Sequence, residues 1–368
     1  MRVIICGAGV IGASIAYFLS LRGMTPTVVD RCGVATAASG KSGGFLALDW
    51  CDGSPLGPLA RTSFALHADL SHSLGKDYGY RRLHTYLVAS SELGTGQPRR
   101  PHDPEWLDGH CAVQMALGTP ATTAQVHPEQ FTHALVDAAV EHGATLRIGC
   151  VEGISVSDHE HAIRAVIVDG ERMPADAVVI AMGPWSDKAA KGLPIPPVGG
   201  LKGQSITVRP TRDVPAHALF VEYQTTHGEQ HSPEIFPRPD GEVYVCGMSD
   251  ASPVPEDPAQ VEVNAHACKR LQEMAANLSS SLIDAKCTRT QACYRPICAD
   301  ALPLLGKIPG VSGAYVATGH NCWGILNAPA SGLAMAELIV EGHAKTVDLS
   351  PFDPVRLMRR PAQRLRTH

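Results

Sequence analysis

Several absences narrow the chemistry before any motif is read. No run of apolar residues reaches the roughly 18 to 20 positions that a bilayer-spanning helix needs. Neither sign of charge is in excess: 31 basic against 36 acidic residues leave a formal −5, which favours neither nucleic acid nor an anionic membrane. The 11 cysteines are odd in number, contain no Cys-x-x-Cys pair and follow no regular spacing, so they read as reduced thiols. The 17 histidines show no His-Glu-x-x-His spacing and no Cys/His cluster, so no metal site is expected. A strand pattern starts at Val3, which leaves no room for a secretory leader, and a cytoplasmic protein is the simplest expectation. The basic stretch RLMRRPAQRLRTH at the C-terminus reads as a solvated tail.

A length of 368 residues is too great for one small core and makes two domains the natural expectation. The chain opens on Val3-Ile4-Ile5-Cys6, a buried-strand pattern, followed directly by Gly7-Ala8-Gly9-Val10-Ile11-Gly12. Helical periodicity then runs through Ile11, Ile15, Phe18 and Leu19 to Gly23, and a second strand, Thr27 to Val29, ends in Asp30. Gly7 allows the tight turn, Gly9 lets a pyrophosphate approach the backbone, and Gly12 lets helix and strand pack closely. The N–H groups opening the helix, at Val10 and Ile11, face the phosphate charge. Asp30 stands where a carboxylate accepts from the adenosine ribose hydroxyls. This order of elements specifies a dinucleotide but does not separate NAD from FAD. The small-residue loop Ala38-Ser39-Gly40-Lys41-Ser42-Gly43-Gly44 tilts the choice, because it allows a second extended ligand segment to lie against the backbone.

Further along, the pattern predicts a helix from Gln125 to Gly143, strands at Thr145–Ile148 and Val151–Ile154, and a hairpin across 158–175. The apolar run Ala177 to Ala181 reads as a central parallel strand ending in the glycine turn Met182-Gly183-Pro184-Trp185-Ser186. From Gly203 short strands separated by Pro and Gly turns indicate an antiparallel sheet, followed by a helix over 261–278. A strand at 314–318 and a last helix over 331–340 close the chain, with no internal repeat. The fold class is thus α/β: a Rossmann-like FAD-binding domain, discontinuous in sequence, with an antiparallel-sheet substrate domain of α+β type. The expected division is 1–50, 125–203 and 299–350 for the first, 51–124 and 204–298 for the second, and 351–368 for the tail.

The chain resembles the D-amino-acid oxidase superfamily of FAD enzymes, glycine oxidase and sarcosine oxidase among them. Within it, the likeness is greatest to a poorly characterised group of FAD oxidoreductases. The segments that carry the likeness are GAGVIG with Asp30, ASGKSGG, VVIAMGPWS, LKGQS, PRPDGEVYVCG, RPICADALPLLG and GHNCWGILNAPASG. The resemblance implies that Gly7, Gly9, Val10, Ile11, Gly12, Asp30 and Arg31 hold the ADP half of FAD. Ser39, Lys41, Ser42, Gly43 and Gly44 would line the path to the flavin ring, Val151 would meet adenine through its backbone, and Gly183 and Trp185 would flank the pyrophosphate. Backbone N–H groups of His320, Asn321, Cys322, Trp323, Gly324, Ile325 and Leu326 would face the N1 and O2 edge, where reduction builds negative charge.

For the chemistry, the resemblance offers Arg295 as the partner of a substrate carboxylate, a task suited to a guanidinium fork. The competing reading of Arg295 is a structural ion pair with Asp300. Tyr223 and Tyr294 are candidate hydroxyls to the substrate, against the alternative of half-buried sheet tyrosines. Lys202 is a candidate cation near the flavin, against a surface lysine. Cys293 lies seven residues before Asp300, the spacing of the flavin-linking cysteine in monomeric sarcosine oxidase, so either a thioether to FAD or a free thiol fits. Where glycine oxidase carries a second arginine this chain has Cys322, which puts glycine itself in doubt as substrate.

The expected activity is oxidation of the C–N bond of a small amino acid or secondary amine by hydride transfer to flavin N5, with oxygen or another acceptor closing the cycle. The alternatives are a 2-hydroxy-acid oxidoreductase on the same fold, which needs a base for the hydroxyl proton, and a non-catalytic flavoprotein.

Overall fold

The structure is a computed structural model that describes residues 1–98, 100–157 and 159–358. Most of the basic C-terminal stretch, 359–368, and Asp158 at the start of the expected hairpin lie outside the described residues.

Val3–Cys6 is buried at all four positions because it runs through the middle of a six-stranded sheet. The strand order is Leu304–Lys307, Ala314–Thr318, Ala177–Ile180, Val3–Cys6, Thr27–Asp30 and Thr145–Ile148, parallel except for the first pair. Ile5 sits in register between Val179 and Val28, so the apolar runs that marked these strands are the ones covered on both faces. On one face pack the helices Val10–Ser20, Pro128–Glu141 and Gly324–Glu341, which bring Ile15, Leu19, Phe131, Leu135 and Met335 into one core. On the other lies the three-stranded sheet Val151–Val156, Ile163–Val168 and Glu171–Pro174, with Val166 and Val168 against Val178 and Ile180. This is the expected α/β fold with a Rossmann-like core.

A second, eight-stranded sheet runs Lys286–Ile297, Gly199–Arg209, Val243–Asp250, Glu234–Pro237, His217–Gln224, His84–Ser91 and Cys111–Gly118, with Gln230–His231 added beside His217–Gln224. One face, carrying Ile206, Val245, Ile235 and Leu219, is sealed by the helix Ala265–Leu278 through Leu271, Met274 and Leu278. The sheet is not wholly antiparallel: His217–Gln224 pairs parallel with His84–Ser91. The long excursion between those two strands provides the crossover that a parallel pair requires.

Several local expectations shift. Ala38–Lys41 is one helical turn rather than loop, with Ser42 extended immediately after it. The helix expected from Val261 begins at Ala265, where the Asn264 side chain accepts from the Ala267 N–H. The last helix starts at Gly324, not Ser331, and carries Pro329 inside it before ending at left-handed Gly342. Asn321–Glu341 spans 21 residues at a mean hydropathy of 1.3, so a segment long and apolar enough to cross a bilayer does exist. In the fold it is largely buried, packed on Val10–Ser20 and Gly57–Ser73, which is the position of a core helix.

Candidate active site

The first turn of the Val10–Ser20 helix, the ends of the parallel strands and the free face of the eight-stranded sheet enclose one cavity of about 950 Å³. That volume is at the upper end of small-molecule sites, roughly 300–1,000 Å³.

The glycine-rich end is built as the spacing predicts. Gly7 has φ +114° and leaves no room for a Cβ against the Ala181 carbonyl; Gly12 leaves none against the Gly7 carbonyl. Gly7, Gly9, Val10 and Ile11 face the cavity, whereas Gly12 is spent on helix–strand packing. Ser39 Oγ accepts from the Val10 N–H at 2.9 Å, while Ile11 and Gly12 are first-turn donors without intrahelical acceptors. Asp30 lines the cavity and steadies the loop: its carboxylate accepts from the N–H groups of Ala8 at 2.8 Å, Cys32 at 2.9 Å and Gly33 at 3.0 Å. Arg31, which lines the cavity, pairs with Asp257 at 3.1 Å. Val151, Gly183 and Trp185 line the same end, and the Trp185 indole donates to the Pro255 carbonyl at 2.7 Å.

The middle of the wall combines Ser39, Ser42 and Gly43 with His320, Asn321, Cys322, Gly324 and Ile325. Ser42 Oγ, Asn321 Oδ1 and His320 Nδ1 are buried there without a hydrogen-bond partner among the described residues. His320 is pushed down to about 3 by burial, and its Nε2 meets Ser331 Oγ at 3.1 Å, so the ring is neutral at physiological pH. Lys41 and Gly44 do not reach the cavity. Lys41 Nζ donates to the Ala292 carbonyl at 3.3 Å, and Gly44, at φ +77°, is pressed against the Val126 carbonyl. Trp323 turns toward Trp50, and Leu326 is buried in the helix packing.

The sheet contributes the far end. Strand alternation turns Ser205, Glu234, Tyr244, Cys246, Cys293 and Arg295 toward the cavity. The same alternation excludes three of the four residues expected to carry chemistry. Tyr294, between Cys293 and Arg295, faces away and donates its hydroxyl to the Pro253 carbonyl at 2.8 Å. Tyr223 lies in the core under the Ala265–Leu278 helix with its hydroxyl on Glu92 at 3.4 Å. Lys202, one residue out of phase with Gly203, is buried near Asp250 rather than in the cavity wall. Arg295 remains. The ion pair with Asp300 does not form, because Asp300 is held by Arg356 at 2.7 Å.

Sequence reasoning missed Glu234 and Cys246. Burial raises the Glu234 carboxyl above the usual carboxylate range, opposed by the Cys246 thiol and by the Arg295 charge. Cys246 Sγ lies 3.5 Å from Glu234 Oε2. Cys293 is pushed up to about 11 by burial, against the pull of Lys41 and Arg295. These groups sit deep in the chain and keep partial accessibility through the cavity. The available signal for Glu234 was an acid in phase with Phe236, on a strand whose other residues are apolar.

A dinucleotide cradle that opens beneath a substrate-sized sheet wall defines a dinucleotide-dependent oxidoreductase. The model of the D-amino-acid oxidase family, described as FAD dependent oxidoreductase, matches residues 2–338, and the chain belongs to that family. A relative in Schizosaccharomyces pombe, bearing only the general name of an oxidoreductase, is 32% identical over 381 aligned positions, 96% of this chain and 97% of the relative. The glycine oxidase of Geobacillus kaustophilus is 29% identical, with 96% of each chain covered. A solved structure of glycine oxidase from Geobacillus kaustophilus superposes with a TM-score of 0.79 at 28% identity, covering 98% of this chain and 99% of that one. The chain is therefore an FAD-dependent oxidoreductase, an enzyme related to glycine oxidase. The wall fits the cofactor: unpartnered polar atoms at Ser42, Asn321 and His320 and open glycine backbone at Gly183 and Gly203 border a cavity of the right scale.

Proposed function

We propose that the enzyme oxidises the C–N bond of a small amino acid or secondary amine, giving an imine that water hydrolyses to a keto acid or aldehyde plus an amine. The observation that carries this reading is Arg295. It lines the cavity beneath the sheet, and among the described residues no carboxylate lies within ion-pair distance of it. A planar fork without an anion in a partly desolvated wall recruits a carboxylate from a ligand.

Gly9, Val10, Ile11 and Asp30 would hold the ADP half of FAD, and Ser42, His320, Asn321 and Gly324 would border the flavin. When bound, FAD supplies the two-electron acceptor, taking a hydride at N5. Arg295 orients the substrate by its carboxylate, and the buried walls exclude bulk water from the reacting carbon. A neutral His320, pushed down to about 3, is a poor base, so the hydroxyl proton of a 2-hydroxy acid would need another acceptor in the cavity. Cys6, Cys51, Cys268 and Cys298 are buried free thiols, which suits a reducing compartment such as the cytosol. Oxygen or another small acceptor would then reoxidise the flavin.

The test is product analysis after a single anaerobic turnover with glycine, sarcosine, D-alanine or D-proline. One carbonyl product per flavin reduced supports the reading. Reduction by glycolate or lactate alone supports the hydroxy-acid alternative instead.

A further inference from the structure

The eight-stranded sheet contributes two charged side chains to the cavity wall, Glu234 and Arg295, and they are opposite in sign. The Arg295 charge is close enough to act on Glu234, yet no ion pair forms between them within 4.0 Å. Among the described residues neither has a counter-ion within 4.0 Å. The hydrogen-bond partner of Glu234 is the Cys246 thiol, a weak donor at 3.5 Å. Arg295 interacts with Cys322, a thiol that burial raises and keeps protonated. The sheet end of the cavity thus presents one positive and one negative group with a gap between them.

We infer that Glu234 binds the ammonium of the substrate, and that Glu234 and Arg295 together select a small zwitterion, an acid carrying a protonated amine, over hydroxy acids and plain carboxylates of the same size. The inference rests on the amine-oxidising reading above and assigns the selectivity of that site. A carboxylate buried beside a thiol is costly, and a ligand ammonium supplies the missing charge partner. A hydroxy acid or a simple carboxylate satisfies Arg295 but leaves Glu234 unpaired. Because burial raises the Glu234 carboxyl, it is also suited to receive a proton from the bound ammonium. In that step one N–H bond breaks, its electron pair stays on nitrogen, and an O–H bond forms on Glu234. The amine is left neutral, as loss of hydride from the adjacent carbon requires.

The test uses the FAD-loaded full chain and reads binding, so that it does not depend on turnover. Glycine, sarcosine and D-alanine are compared with acetate, propionate and glycolate by anaerobic rapid mixing, reading the perturbation of the oxidised flavin band that precedes any bleaching. The wild-type protein should bind the ammonium acids more tightly than the matched acids, and Glu234→Gln should lose roughly tenfold or more on the ammonium acids alone. Glu234→Asp, which keeps the charge, should retain part of the preference if Gln at this position disturbs folding. Equal binding of both series by the wild type, or a preference that survives in Glu234→Gln, overturns the inference. An amine that reduces the wild type and Glu234→Gln alike overturns it while leaving the amine-oxidising reading intact. Reduction by hydroxy acids alone overturns both.

Discussion

His67 gives its Nε2–H to the Ile325 carbonyl at 2.9 Å, the carbonyl that Pro329 leaves without its helical donor. The same nitrogen lies 3.2 Å from the Leu326 carbonyl, and Ser63 Oγ, one turn earlier on the Gly57–Ser73 helix, accepts from the Ala330 N–H at 2.9 Å. Two polar side chains from one helix thus repair a proline break in another, next to the 320–325 stretch that borders the cavity.

Removing that repair is costly. His67→Ala leaves two buried carbonyls short of a donor and opens a void, an expected loss of about 2–4 kcal/mol. Thermal unfolding of the holoprotein should fall by several degrees, with weakened flavin retention because the displaced turn adjoins His320 to Ile325. An unchanged unfolding temperature would show that the Pro329 break needs no external donor.

Stability should also fall with acid. Burial lowers His67 to about 4 and His320 to about 3, and burial with the neighbouring Arg238 charge lowers His127 to about 4. Each folded-state value lies below the ordinary histidine value, so the unfolded chain binds more protons. The stability these rings provide is complete above about pH 6.5 and drains away as pH falls toward 4, by about 1.4 kcal/mol per pH unit for each ring. Unfolding temperatures measured from pH 7 to pH 5 should decline, and less steeply in His127→Gln. A flat profile across that range contradicts the neutral-histidine account.

The glycine cradle predicts a defect specific to the cofactor. In Gly12→Ala the new Cβ meets the Gly7 carbonyl, so the first helix must lift off the strand end that faces the pyrophosphate. The flavin-to-protein absorbance ratio of the purified variant should drop sharply, with added FAD restoring it only at concentrations at least about tenfold higher than the wild type needs. Full flavin occupancy would mean that the joint tolerates the displacement.

A protonated Cys293 thiol, pushed up to about 11, is a weak nucleophile. Denaturation in acid should therefore release the flavin into the supernatant. Fluorescence that stays with the polypeptide, and disappears in Cys293→Ala, would establish a thioether.

Much of the cofactor half was legible in the sequence because its signals are local. The strand at Val3, the three glycines and Asp30 lie within one short stretch, and each obeys a backbone rule that tertiary context does not override. The sheet half was less legible. Arg295, Tyr294 and Cys293 are neighbours in sequence, and only the pleat decides that the first and last face the cavity while Tyr294 turns to Pro253. Glu234 escaped notice because its meaning depends on Arg295, which reaches the same cavity from another strand. The Gly57–Ser73 helix was hidden for a different reason: its buried stripe includes Ser63 and His67, polar residues that break the apolar period and make sense only beside Pro329. Pro329 likewise concealed the true start of the last helix at Gly324.

The central claim is that Arg295 holds the carboxylate of an amine substrate for oxidation. It is tested most directly by the anaerobic rate of flavin bleaching in wild type and Arg295→Ala, across D-amino acids, N-methyl amino acids and 2-hydroxy acids. The account predicts bleaching of the wild type by an amine-bearing acid, and a loss of about 100-fold or more in the variant at unchanged flavin content. Equal bleaching of both proteins, or bleaching by hydroxy acids alone, would contradict it.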